Sequence, residues 1–126
     1  MYISFLNCKY NKNLIIGIKS FYFKKIGAKI SIDDFGSGYS NFEYLAKLPI
    51  DFIKIDGSLI KNIDKDEDTR IVVEVIVNYA KKKGIKTVAE FVSSKDIYHV
   101  VKDIGVDLVQ GFYIGKPTQN IDIKAL

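Results

Sequence analysis

The sequence predicts an α/β fold with mainly parallel strands, and three observations carry that reading. Amphipathic stretches alternate with short β-type runs, the pattern of crossover helices joining parallel strands. The join is the same three times: a basic or polar helix end, a glycine, then a β run that finishes in a polar side chain. The polar residues Asp33, Glu90 and Gln110, with Lys54 from a fourth β run, then fall near the carboxyl ends of strands. That is the end at which α/β folds bind ligands.

Taken in order, residues 13 to 26 have a helical pattern despite Gly17, and Gly27 ends it. In the β run that follows, Ile30 and Ile32 take one face, and Ser31 and Asp33 the other, because strand side chains alternate. A short helix is expected from Ser40 to Lys47. It stops before Leu48-Pro49, since the residue before proline avoids helical geometry. The run Phe52 to Asp56 sets Ile53 and Ile55 against Phe52, Lys54 and Asp56.

The clearest helix spans Glu67 to Lys83. Asp66, Glu67 and Asp68 crowd its front and Lys81, Lys82 and Lys83 its back, as the helix dipole favours. Ile71, Val72, Val75, Ile76, Tyr79 and Ala80 recur at helical spacing. Gly84 and the β run Ile85 to Glu90 follow. A further helix opens near Ser93-Ser94, with Ser93 and Asp96 as a variant capping box, and runs to Ile104. Gly105 and the run Val106 to Gln110 complete the third unit. A glycine directly after a helix takes the left-handed conformation that closes it.

Composition narrows the function. The chain has 126 residues, one domain's worth, with 48% apolar and 27% charged residues. Its net charge is +4, from scattered lysines with one run at Lys81 to Lys83. Basic residues do not interleave with aromatics as in nucleic-acid binders, so the charge reads as mild attraction for anions. One cysteine, Cys8, and one histidine, His99, make neither an internal disulfide nor a zinc site. A reducing, cytoplasmic setting is expected. No run of about 18 apolar residues is present, so no membrane span is expected. The first residues lack a basic n-region, so no signal peptide is expected either.

The chemistry concentrates in Asp33-Asp34-Phe35-Gly36-Ser37-Gly38. Adjacent carboxylates repel unless a cation is shared between them. Hard oxygen ligands suit Mg²⁺ or Mn²⁺. Gly36 and Gly38 let the backbone turn and approach a ligand. Lys54 is placed to hold a water or to neutralise a phosphate, and Glu90 to act as base or further metal ligand. Gln110 with Gly111 is placed to hydrogen-bond a base or a sugar. Together these residues suggest a metal-dependent site for a phosphate ester.

Four motifs occur in order: Asp33 to Ser40, Leu48 to Asp56, Val88-Ala89-Glu90, and Gln110-Gly111-Phe112 with Lys116-Pro117. They resemble the second half of the EAL domain, the phosphodiesterase domain that linearises cyclic di-GMP. The likeness covers roughly Gly27 to Pro117 of a chain read as one truncated domain over residues 1–126. It implies a modified TIM barrel, which this chain would form as a partial (half) TIM-like βα barrel with mainly parallel strands, and hydrolysis of cyclic di-GMP to pGpG. It also implies Asp33 and Asp34 as metal residues, Lys54 on water and phosphate, and Glu90 in catalysis or metal binding. Gln110 would contact the nucleotide, and Asp56 would support its strand end.

The departures carry weight too. The Glu-Ala-Leu motif is absent, as are the family's Asn and Glu metal ligands, and Phe91-Val92-Ser93 stands where the family usually has Gly-Val-Glu. Met1 to Leu6 falls about where the Glu-bearing strand belongs, without a carboxylate. Little or no hydrolysis by this chain alone is therefore expected, and exposed sheet edges call for a homodimer or docking to another chain. The alternative is a non-catalytic nucleotide-binding or protein-interaction module in bacterial signalling. A receiver domain fails because Phe35 to Ile55 is too short for the helices and strands it needs there. A kinase rests only on Asp34-Phe35-Gly36.

Overall fold

The computed structural model describes residues 2–6, 20–38 and 42–116. Strands β1 (Tyr2–Leu6), β2 (Lys29–Phe35), β3 (Phe52–Ile55), β4 (Lys86–Ala89) and β5 (Leu108–Val109) form one sheet in sequence order. Every neighbouring pair is parallel. The helices between them are α1 (Phe42–Lys47), α2 (Gly57–Ile60), α3 (Glu67–Lys83) and α4 (Lys95–Ile104), and residues 20–25 are helical ahead of β2.

Helix ends follow the residues that favour them. Asp66 caps α3 by accepting the Thr69 N–H, and Gly84 closes it at φ 70°. Ser94, not Ser93, caps α4 through the Ile97 N–H, so the expected capping box is corrected by one residue. Ser94 has the extended backbone that a cap requires. Helix α2 was not anticipated; Asp56 starts it by accepting the Ser58 N–H at 2.8 Å. The predicted helix from Asn13 is seen only in residues 20–25, and its earlier part lies outside the described residues, as does the predicted start of α1 at Ser40.

The aliphatic faces of the strands form the core, as their alternation predicts. Ile30, Ile32, Ile53, Ile55 and Ala89 from the sheet pack in one cluster with Val73, Ile76, Val77 and Ala80 of α3 and Ile97 and Val101 of α4. Each fully buried aliphatic side chain contributes about 1.5–3 kcal/mol. A surface ion pair gives about 0–1 kcal/mol, so this one packed face dominates the energetics and fixes which strand face looks the other way.

The amino ends of the strands carry a device that occurs twice. Asp51, just before β3, accepts the N–H of Ile30 at 2.8 Å and pairs with Lys24 at 3.0 Å and Lys29 at 3.9 Å. Asp107, just before β5, accepts the N–H of Thr87 at 2.9 Å and pairs with Lys86 at 3.5 Å. In both, an aspartate preceding one strand bonds the second residue of the strand before it and pairs with the lysine at that strand's start. The helix–glycine–strand repeat seen in the sequence thus extends to the clamps that set strand register.

Candidate functional site

Strand β2 does not end at Asp33. It runs through Asp33 and Asp34 to Phe35, with a register shift against β3 between Ile32 and Phe35. The irregularity coincides with Asp34, whose φ is 54°. Asn and Asp tolerate this left-handed region better than most residues. The break in alternation lets Phe35 return to the core at the strand end.

Lys54 projects from β3 between its neighbours. Its Nζ lies 2.9 Å from Oε1 of Glu90, directly after β4, and 3.9 Å from Oδ1 of Asp33 on β2. Ser31 donates to the same Asp33 oxygen at 3.2 Å. The side chains of Lys54, Asp33 and Glu90 are 27%, 20% and 14% exposed, so solvent screens their charges only in part. The Glu90 hydrogen bond above all, then the charges of Glu90, Asp33 and Asp34, hold the Lys54 pKa above its ordinary value against the opposing effect of burial. Asp33, Lys54 and Glu90, from three adjacent strands, therefore meet as the sequence predicted.

Gln110 follows β5 and is held by the backbone: its N–H donates to Ala89 O at 2.9 Å, and its carbonyl accepts from Val92 N at 3.0 Å. Gly111 has φ 154°, and a Cβ there would overlap the backbone of Val92. Only glycine permits that close approach. Gln110 and Gly111 share with Glu90 a cleft of about 390 Å³, completed by Phe91, Ser93, Phe112, Gly115 and Lys116. Gly36 sits against Leu59, and Gly36 and Gly38 are at φ 98° and 101° in the loop after β2. Neither loop glycine lines this cleft. Asp56, directly after β3, serves α2 as its cap.

Phe91 is the feature whose geometry the sequence did not announce. It lies at φ 60°, which costs a bulky residue about 1–2 kcal/mol. Its ring rests on Gly57, where a Cβ would overlap it. The family resemblance leads one to expect glycine at this position, which was the available signal that the backbone is left-handed there.

Among the described residues no three carboxylate, imidazole or thiol groups come close enough to share a metal ion. An ammonium, that of Lys54, stands between Asp33 and Glu90 instead. The described residues therefore do not fit a complete Mg²⁺ or Mn²⁺ centre by themselves.

Parallel strands in sequence order, with acids, a lysine and an amide at their carboxyl ends, define a segment of a βα barrel. The chain belongs to the EAL domain family, whose model matches residues 9–117. It is 39% identical over 94 residues to the cyclic di-GMP phosphodiesterase PdeB of Shewanella oneidensis, covering 75% of this chain and 11% of that protein. It is 42% identical over 94 residues to the cyclic di-GMP phosphodiesterase PdeA of Borreliella burgdorferi, covering 75% of this chain and 14% of that protein.

Among solved structures it is similar to the PaMucR phosphodiesterase in its c-di-GMP complex, with a TM-score of 0.85 and 30% identity over 92% of this chain and 47% of that one. A standalone EAL protein from Vibrio cholerae O395, in its c-di-GMP-bound form, gives a TM-score of 0.81 and 31% identity over 89% of this chain and 48% of that one. The chain thus spans about half of these solved EAL chains. The fold is α/β with parallel strands, part of the TIM-barrel-like fold of EAL domains. No helix among the described residues is long and apolar enough to cross a membrane.

Proposed function

We propose that residues 1–126 are a single, partial EAL domain carrying the carboxyl-terminal share of a cyclic di-GMP phosphodiesterase site. In this reading Asp33 and Asp34 are its metal-facing carboxylates, and Lys54 and Glu90 its catalytic pair. Gln110 and Gly111 contact the nucleotide, and the Gly36 and Gly38 loop allows its backbone to approach. The observation that supports it best is the Lys54 ammonium held between Glu90 and Asp33, at 2.9 and 3.9 Å, from three neighbouring strands. An ammonium so held is positioned to orient a water or neutralise phosphate charge. Hydrolysis to pGpG needs metal ligands beyond these residues, so the 126-residue chain binds cyclic di-GMP with little or no turnover.

The lack of a metal-holding cluster among the described residues favours a second reading. In it the chain is a non-catalytic module that binds the nucleotide or another protein in bacterial signalling. Two measurements separate the readings: calorimetric titration of cyclic di-GMP with and without Mg²⁺, and an assay of pGpG release with Mn²⁺. Binding strengthened by Mg²⁺ with little or no pGpG supports the first. Binding indifferent to Mg²⁺ supports the module, and absence of binding rejects a nucleotide role for this chain.

A further inference from the structure

Phe91 combines features that packing alone does not explain. Its backbone sits in the left-handed region, yet the residue is 69% exposed, so burial does not offset the strain. Strain of this kind persists where the surroundings impose it, and such places cluster at ligand sites. Here the surroundings are Gly57, which has no side chain and on which the ring lies. A Cβ at Gly57 would displace the ring, so the seat fixes where the ring can stand.

The same ring lines the cleft beside Glu90 and Gln110. Phe112, 70% exposed, lines it as well, and Lys116 brings a positive charge to its wall. The cleft's size is at the low end of the range for small-molecule sites. Exposed aromatic faces next to hydrogen-bonding and cationic groups are how proteins hold a base together with its phosphate.

We infer that Phe91, seated on Gly57, is a stacking face for a purine base of the nucleotide, with Lys116 serving the attached phosphate. This rests on the nucleotide reading above and adds to it a specificity residue. At a left-handed position that glycine adopts without strain, this chain carries an aromatic surface.

The test is calorimetric, on the 126-residue chain, with GMP, cyclic di-GMP and ribose 5-phosphate as probes. Phe91→Gly removes the ring and relieves the backbone, so the variant folds at least as readily, which thermal unfolding verifies. GMP and cyclic di-GMP should bind about 5- to 100-fold more weakly to it, ribose 5-phosphate equally well, and Phe91→Tyr should restore base-dependent affinity. Unchanged GMP affinity in Phe91→Gly overturns the stacking role and leaves the nucleotide reading standing. An equal loss for ribose 5-phosphate also overturns it, because the ring then only shapes the cleft. Failure of the unsubstituted chain to bind any guanine nucleotide removes both.

Discussion

At the scale of single residues, the Lys54 ammonium is the hinge of the site. Its pKa is raised first by the Glu90 hydrogen bond and then by the charges of Glu90, Asp33 and Asp34. A raised lysine pKa means that the charged form is favoured in the folded state. Its stabilisation is complete below the ordinary lysine value, about 10.4, and is lost as pH rises through the higher folded value. Denaturant unfolding should therefore show no Lys54-dependent change between pH 7 and 9, and a loss above about pH 10.4. In Lys54→Met that alkaline loss should vanish, and the neutral-pH stability should fall by about 1–3 kcal/mol, because three carboxylates lose their common cation. An unchanged alkaline limb in the variant would show that the ammonium does not hold these acids.

At the scale of elements, the sequence was most legible where two signals agreed. Helix α3 begins and ends as its acids, lysines and Gly84 predict, because dipole, cap and apolar spacing all point to the same bounds. The strand β2 was legible through Asp33, and only its last two residues were not. Its continuation through Asp34 to Phe35 depends on a bulge and a left-handed aspartate, which tertiary pairing imposes and local pattern does not encode. Helix α2 was missed because four residues carry no periodicity; only the Asp56-Gly57-Ser58 cap marks it. Of the candidate site, Asp33, Lys54, Glu90 and Gln110 were readable from strand-end position alone. The seat of Phe91 on Gly57 was not, since it joins residues 34 positions apart in the chain.

The paired clamps belong to this scale as well. Burial raises the Asp51 pKa, but the Ile30 N–H and the Lys24 and Lys29 charges outweigh it and hold the group below its ordinary value. The resulting stability is present above about pH 4 and is lost as pH falls through the lower folded value. Asp51→Asn should cost about 1–3 kcal/mol at neutral pH, measured by urea unfolding. It should also flatten the loss of stability on acidification. Asp107→Asn tests the repeat: an effect of similar size would show that the two clamps are equivalent, and no effect would show that only the first holds register.

At the scale of the molecule, five parallel strands are described where a TIM-type barrel has eight, and among the described residues the sheet lies open at both outer strands. β1 pairs only with β2 and β5 only with β4 among the described residues. An open strand edge presents unpaired N–H and C=O groups that recruit another strand or chain. At the β5 end the edge is also apolar, with Leu108 on the strand and Phe112, Tyr113 and Ile114 just beyond it all exposed. Burying such surface contributes about 25 cal/mol per Å², whereas the lone net charge of +4 opposes association weakly at physiological ionic strength. Self-association of the chain should follow, and sedimentation equilibrium at micromolar concentration should give a dimer or larger species. Leu108→Lys places a solvated charge on the edge while sparing the buried core, so it should shift the mass toward the monomer without lowering the thermal midpoint. A chain that sediments as a monomer before substitution would mean that the β5 edge is covered from within, and the barrel would then be nearer to closure than five strands imply.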